Sequence, residues 1–335
     1  MPYHPHSILA IDVSPFSRSL VMLPTMRALR AAYSKTFIIA AAPAGTVELL
    51  QAGELVDEAI DLGVVKRSGR DYAGSIKRLF RLMRQARRDQ VDMVLDFSPR
   101  LETQLISRVA RSGRVITPSR FSQVFEVLLG RSEKSVRMAN HSDECANVLK
   151  QVGVKIEDAR LAIELPEEEN SNFERLLARH GSRGGELIVV LYGSKAGGTR
   201  GWPVENFGEM AMRLANNFGA RIVAVDEPSD NGFTNSLEGL LPKGAIKLRQ
   251  PRALELAAAI ARASVFVTDD PGVATMGVEF TAPVLEVTDS PHRSSQSKTH
   301  RILYGASRVR ITADEVYEIA CEMLQEGRTV SLFRR

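Results

Sequence analysis

The chain has 335 residues, more than a single domain usually has, and its 44% hydrophobic and 25% charged residues are typical of a globular protein. It contains neither the 18-residue apolar run that a transmembrane helix needs nor a signal-peptide pattern, so we expect a cytoplasmic protein. Cys145 and Cys321 fit no metal-binding or redox spacing. The net charge of +4 is modest, but nine Lys or Arg residues and one acidic residue lie within 66–88, which favours an anionic partner.

The first half of the sequence alternates short β-rich runs with helical patterns. The runs are almost continuously apolar, as expected of strands covered on both faces, and the alternation predicts a parallel sheet with helices on both sides. The predicted strands are 7–13, 36–41, 58–61, 91–97 and 114–117, and the predicted helices are 18–33, 45–53, 73–89 and 101–111.

The segment 164–186 is acidic, then helical, then rich in glycine, which indicates an interdomain connection. We therefore predict two Rossmann-like, doubly wound α/β domains, residues 1–165 and 172–335, that face a central cleft. Ligands are expected outside the carboxyl ends of the strands, and the last helix is a candidate to pack back on the first domain. In the second domain the predicted strands are 187–193, 220–225, 264–269 and 283–287, and the predicted helices are 203–217, 253–263, 272–280 and 313–326.

The segment from Asp269 to Thr275 ends a predicted strand and begins a helix. Asp270 is placed to cap that helix, whose first residue is Pro271. Gly272 would let a ligand approach the backbone closely, and a helix N-terminus favours negative charge. The pattern fits either an anion site or a well-capped turn without a ligand.

A glycine-rich loop follows the strand 187–193. Two of its glycines have the spacing of a P-loop, but Thr199 stands where a P-loop needs lysine, so the loop is not a P-loop. Lys195 and Arg200 in this loop favour a phosphate or sugar ligand over flexibility alone.

The basic segment 66–88 divides into a loop and an amphipathic helix. Lys66, Arg67 and Arg70 lie in the loop, at a strand end, and are the stronger ligand candidates. The cations of the helix suit either an anionic membrane surface or simple solvation. Because aromatic residues are not interleaved with the cations, we expect no nucleic-acid partner.

With these segments in order, most of the chain resembles glycosyltransferase family 9, the heptosyltransferases of lipopolysaccharide core synthesis. The resemblance is carried by LPTMRALRAAY after the first strand, GELVDEAIDLG, GSKAGGTRGWPVENFGEMAMRLANNFGARIVAV and LELAAAIARASVFVTDDPGVATMGVEFTAPVLEV. It implies the GT-B architecture and inverting transfer from an ADP-heptose-like nucleotide sugar, without metal or cofactor. It also implies an anionic glycolipid or oligosaccharide acceptor and peripheral contact with the cytoplasmic face of the inner membrane.

The resemblance assigns roles to individual residues. Arg200 stands where the family has lysine, and we expect its charge to stabilise the departing diphosphate. The implied acceptor-binding residues are Ser17, Arg18, Lys66, Arg67 and Arg70. The implied donor-binding residues are Ser194, Lys195, Thr199, Arg200, Asp269, Asp270, Pro271, Gly272, Val273 and Thr275.

Two positions depart from the family pattern. The family places Gly-Asp six to seven residues before the proline that is here Pro24, and this Asp is its catalytic base; Ser17 and Arg18 occupy those places. An arginine cannot accept a proton, so the usual base is absent. Thr275 replaces the donor-loop histidine. The candidates for a replacement base are Asp12, which is nearest in sequence, and Asp269 and Asp289.

Two functions therefore stay open. The chain is either a glycosyltransferase with a substitute base, or a catalytically inert relative that binds nucleotide, glycan or a protein partner.

Overall fold

The computed structural model describes residues 5–62, 91–99, 103, 114–118, 141–182, 184–193, 201–228, 232–289, 299–305 and 310–333, with the backbone alone from 327 onward. The chain divides into two compact units, Met1–Glu164 and Leu165–Arg335. Each unit contains one parallel β-sheet flanked by helices. Among the described helices, none combines the length and the apolar character needed to cross a membrane.

The first unit is built on a five-stranded sheet with the order β3-β2-β1-β4-β5. Central strand β1 pairs in parallel with both β2 and β4 and is buried along its whole length, which explains its continuous apolar run. The strands are β1 (Ser7–Ile11), β2 (Phe37–Ala42), β3 (Glu58–Asp61), β4 (Met93–Asp96) and β5 (Arg114–Ile116). The described helices of this unit are α1 (Phe16–Ser19), α2 (Met22–Ala32), α3 (Ala44–Ala52) and α4 (His141–Gln151).

The second unit contains a six-stranded sheet with the order β11-β10-β9-β6-β7-β8. Its strands are β6 (Ile188–Tyr192), β7 (Arg221–Val225), β8 (Ile246–Leu248), β9 (Val265–Thr268), β10 (Val284–Thr288) and β11 (His300–Tyr304). Its described helices are α5 (Glu167–Arg179), α6 (Val204–Phe218), α7 (Gly232–Ser236), α8 (Ala253–Ala261), α9 (Pro271–Glu279) and α10 (Ala313–Phe333).

Helix α6 shows how the local sequence sets the core of the second unit. Its buried side chains Phe207, Met210, Ala211 and Leu214 recur with helical spacing and form one apolar stripe. Burying each of the larger ones contributes about 1.5–3 kcal/mol. The helix ends at Gly219, whose φ of 62° is the left-handed conformation that glycine adopts without steric cost.

The first half of α10 belongs to the same core. Val316, Ala320 and Met323 are buried against it, and the guanidinium of Arg213 in α6 lies 3.9 Å from the centroid of the Tyr317 ring. Packing of this helix on the N-terminal domain stays a prediction.

The predicted alternation of strands and helices is confirmed. The sequence analysis did not predict the short strands β8 and β11 or the helices α4 and α7. The connection 164–186 contains α5, which lies in the second unit and is tied to α8 by an ion pair of 2.7 Å between Glu169 and Arg252. The predicted helix 73–89 lies outside the described residues, as does all of 101–111 except residue 103.

Candidate functional site

The carboxyl ends of β6 and β9 lie side by side in the second unit, because Tyr192 pairs with Thr268 in the register of these strands. Asp269 and Asp270 follow β9 directly, and helix α9 begins at Pro271. This edge of the sheet is the position at which open parallel sheets bind ligands.

Asp270 caps helix α9, as the sequence predicts. Its Oδ1 accepts hydrogen bonds from the backbone N–H groups of Gly272, at 2.8 Å, and Val273, at 3.1 Å. Ala274 N–H donates to the Asp270 carbonyl at 2.9 Å, and Pro271 has no N–H. The N–H groups of Gly272 and Val273 therefore bind the carboxylate of Asp270 in this structure, and the donor-binding role of this turn stays a prediction.

Asp269 has a different role from its neighbour. Its carboxylate is fully buried and Oδ2 accepts a hydrogen bond of 2.8 Å from the backbone N–H of Trp202, two residues before the start of α6. The indole Nε1–H of Trp202 donates to the Ile311 carbonyl at 2.8 Å, and its ring packs edge-on against Phe207. These contacts fix the chain on the C-terminal side of the glycine-rich loop beside the start of α9.

Side-chain packing requires a glycine at Gly193, the residue just after β6. A Cβ atom at this position would lie 2.3 Å from a ring carbon of Phe233, which is closer than any real contact. The Phe233 ring is held there because Asp226, just after β7, accepts hydrogen bonds from the backbone N–H, at 2.8 Å, and the hydroxyl, at 2.6 Å, of Thr234. The sequence analysis attributed this glycine to P-loop-like spacing, and the structure supplies the physical reason.

The described part of this edge is acidic. Burial raises the pKa of the Tyr192 phenol, and the charges of Glu227, Asp270 and Asp269 raise it further. An anionic ligand would therefore need cations from elsewhere. Of the predicted donor-binding residues, Ser194, Lys195, Thr199 and Arg200 lie outside the described residues.

The start of α9 is accessible to a ligand at three positions. Pro271 and Gly272 are half-buried, and Thr275 is exposed, with its hydroxyl donating to the Gly272 carbonyl at 2.5 Å. Val273, by contrast, is fully buried and contributes only its backbone.

The carboxyl ends of β1 and β4 in the first unit carry a pair of similar turns. Asp12 and Asp96 are each followed two residues later by a serine, whose N–H donates to the aspartate Oδ1, at 2.9 Å for Ser14 and 3.2 Å for Ser98. The hydroxyl of Ser98 in turn accepts the N–H of Val13 at 2.6 Å. Both aspartates are fully buried.

The two aspartates differ in their partners. His141, at the start of α4, places Nε2 2.9 Å from Asp12 Oδ2, whereas no cation of the described residues pairs with Asp96. Burial raises the pKa of Asp12, but the hydrogen bond and charge of His141 outweigh burial and leave that pKa below its usual value. Burial raises the pKa of Asp96 to about 7, against the hydrogen bonds from Thr103 and Ser98.

His141 completes this cluster. Burial disfavours the imidazolium, but the hydrogen bond to Asp12 raises the pKa of His141 to about 11. Its Nδ1 lies 3.2 Å from Glu144 Oε2, and Nε2 also lies 3.4 Å from the Ser14 hydroxyl. This is not a nucleophile triad, because Asp12 and Ser14 share one ring nitrogen and the imidazole keeps its proton near neutrality.

The remaining acceptor-side candidates divide between the described and undescribed parts of the chain. Ser17 is half-buried and Arg18 is exposed, both on α1. Lys66, Arg67 and Arg70 lie outside the described residues. Among the described residues, no group of three or more His, Cys, Asp or Glu side chains could hold a metal ion.

Sequence reasoning missed His141 and Asp96. The repeated Asp-x-Ser pattern after two strands, at 12–14 and 96–98, was a signal for Asp96. His141 carries no comparable local signal. As for Asp12 as a replacement base, both oxygens are hydrogen-bonded and the lowered pKa makes the carboxylate a weak proton acceptor. The proposed base role stays a prediction.

Comparison with solved structures finds similar folds along almost the whole chain. The glycosyl transferase family 9 protein from Veillonella parvula is 18% identical with a TM-score of 0.73, covering 97% of this chain and 99% of that one. E. coli ADP-heptose lps heptosyltransferase II is 17% identical with a TM-score of 0.67, covering 96% and 99%. E. coli heptosyltransferase WaaC with ADP-2-deoxy-2-fluoro heptose is 16% identical with a TM-score of 0.64, covering 94% and 99%.

No family model matches the sequence, and no curated protein matches it either. At these low identities the likeness to solved structures establishes the fold. The expected resemblance to family 9 is confirmed at that level, and the chain has the GT-B fold of these glycosyltransferases.

Proposed function

We propose that the chain is an inverting, metal-independent glycosyltransferase that transfers a sugar from a nucleotide-sugar donor of the ADP-heptose type to an anionic, lipopolysaccharide-core-like glycan. The observation that carries the proposal is the fold match along nearly the whole chain to heptosyltransferases. One of these, WaaC, has been solved both with ADP-2-deoxy-2-fluoro heptose and with ADP. Fold alone does not fix an activity, so the proposal also rests on the chemistry available at the two carboxyl edges.

The donor is proposed to bind at the carboxyl edge of β6 and β9. Transfer breaks the bond between the sugar C1 and the diphosphate, and the departing oxygen gains negative charge that cations stabilise. Lys195 and Arg200 are the proposed cations, because Asp269 fixes Trp202 and thereby the end of the loop that carries them. Since Asp270 occupies the N–H groups of the turn, these side chains would supply most of the positive charge.

The acceptor is proposed to bind at the first unit. An anionic glycolipid suits the charge of the exposed Arg18 and that of a second group of cations, which lie close together in the sequence: Lys66, Arg67 and Arg70. Its hydroxyl must lose a proton as the new C1–O bond forms. Three carboxylates are candidates to take this proton. Asp12 and Asp269 are fully buried and hydrogen-bonded, and Asp289 is half-buried. Asp289→Asn is therefore the first substitution to assay for turnover.

Calorimetric titration with ADP, ADP-heptose and a UDP-sugar tests the donor site. We expect ADP to bind with a Kd near 1 μM, about −8 kcal/mol. Arg200→Gln should weaken binding about tenfold, the effect of removing one charge-assisted contact. Arg249→Gln, at an exposed arginine of the same unit, is the matched control and should leave binding unchanged. Failure of all three nucleotides to bind would contradict the proposal.

A second function, an inert binding protein, is favoured by one observation. Arg18 occupies the expected base position, and Asp12, the carboxylate nearest to it in sequence, forms an ion pair with His141. On this alternative the chain binds ADP but transfers no sugar, and Arg18→Asp would gain transfer. A variant that binds the donor and stays inactive would count against this explanation.

A further inference from the structure

A buried ion pair joins two distant parts of the first unit. Asp12 follows β1, His141 begins α4, and their contact of 2.9 Å closes a separation of 129 residues. Asp12 is 0% exposed and His141 is 7% exposed, so the pair is shielded from competing water. A hydrogen-bonded pair in such surroundings is directional, and removing either partner leaves a buried charge without compensation.

The pair controls the path of the chain that leaves β1. Oδ2 of Asp12 is hydrogen-bonded to His141 Nε2, and Oδ1 accepts a hydrogen bond of 2.9 Å from the N–H of Ser14. The N–H of the intervening residue, Val13, donates to the hydroxyl oxygen of Ser98 at 2.6 Å. Three consecutive residues are thus fixed before the chain enters α1, which carries Ser17 and Arg18.

The groups around His141 argue against a role in proton transfer. Its ring faces Asp12 and Ser14 at Nε2 and Glu144 at Nδ1, with the Cys145 sulfur 3.9 Å from Nε2. Both ring nitrogens therefore have protein partners, and the site has no exposed ring nitrogen to offer a substrate. The second carboxylate nearby, Asp96, is tied to its own turn through Ser98.

We propose that Asp12 and His141 are positioning residues, which together fix the acceptor-side turn, residues 12–19. They act through the backbone on the placement of Ser17 and Arg18 rather than on the reacting atoms. The inference rests on the proposed transfer, since it gives this turn its place in acceptor binding.

The test compares Asp12→Asn, His141→Gln and the double variant with a matched control in the full-length chain. Asp92→Asn is the control, because Asp92 Oδ2 accepts the N–H groups of His6, at 2.6 Å, and Ser7, at 3.2 Å, at the opposite end of β1. Amide hydrogen exchange of residues 12–19 is measured for each variant. ADP affinity, and the acceptor KM and kcat with ADP-heptose and a heptose-free lipopolysaccharide-core lipid, are measured in parallel.

We expect each single variant to speed exchange in 12–19 by about tenfold or more, and the control to leave this segment unchanged. Because the two side chains act as a unit, the double variant should exchange no faster than the worse single variant. The acceptor KM should rise about tenfold with ADP affinity unchanged, and kcat should change by less than about twofold.

Unchanged exchange in His141→Gln would overturn the inference, as would additive effects in the double variant. A collapse of kcat at constant KM would assign the pair to proton transfer and also overturn it. Should the wild type bind ADP and show no turnover, the proposed transfer fails, while the exchange data still decide whether the pair fixes the turn.

Discussion

Replacement of Asp96 by asparagine should remove a pH dependence from the stability of the first unit. The substitution keeps the size and hydrogen-bonding shape of the side chain but cannot ionise. In the fold, burial raises the pKa of Asp96 from 3.8 to about 7. The folded state thus binds a proton that the unfolded chain has released, and the stability from this group is full below about pH 4 and is lost as pH rises through about 7.

The expected size follows from these two pKa values. Each pH unit between them is worth about 1.36 kcal/mol, so the wild type should lose about 3 kcal/mol relative to Asp96→Asn between pH 4 and 6.5. This window isolates Asp96 from its neighbours. Asp12 and His141 are present in both proteins, so their own contributions cancel in the difference. The pKa of Asp12 is lowered in the fold, and that of His141 is raised from 6.5 to about 11, so that both keep their folded-state charges within the window.

Urea unfolding followed by circular dichroism at several pH values measures the difference. The single tryptophan, Trp202, lies in the second unit, so its fluorescence reports that unit separately and should show no difference between the variants. Asp143→Asn, at an exposed position of α4, is the control. A difference between wild type and Asp96→Asn that stays constant from pH 4 to 6.5, or that favours the wild type as pH rises, would refute the reasoning.

Three further substitutions test the second unit by thermal or urea denaturation. Gly193→Ala should destabilise it by about 1–3 kcal/mol, because the added methyl overlaps the Phe233 ring; an unchanged stability would show that the ring moves freely. Asp270→Ala should cost about 1 kcal/mol through loss of the α9 cap, and Asp270→Ser should recover most of it. Trp202→Phe should cost about 0.5–1.5 kcal/mol, because the Ile311 carbonyl loses its indole donor and keeps the longer hydrogen bond from Asn206 Nδ2, and an equal loss in Trp202→Ala would contradict this account.

The sequence predicted the sheet architecture because its signals are local. Continuous apolar runs such as β1 and β6 are long enough to be recognised and are buried on both faces. β8 has three residues, Ile246–Leu248, and β11 contains His300 and Arg301, so neither shows a clear apolar run.

The candidate site was predicted less completely, for two physical reasons. Asp270-Pro271-Gly272 fits a capped helix and an anion site equally well, and only the hydrogen-bond geometry shows that Asp270 uses the N–H groups itself. The pairing of Asp12 with His141 joins residues that are far apart in sequence, and no local pattern encodes such a contact.

The most direct test of the proposed function is a transfer reaction analysed by mass spectrometry. The purified chain is incubated with ADP-heptose and a heptose-free lipopolysaccharide-core lipid, and both products are quantified. We predict that the lipid gains one heptose residue for each ADP released, with inversion at the anomeric carbon. An unmodified lipid in the presence of a chain that binds ADP would contradict the proposed transfer and identify an inert nucleotide-binding protein.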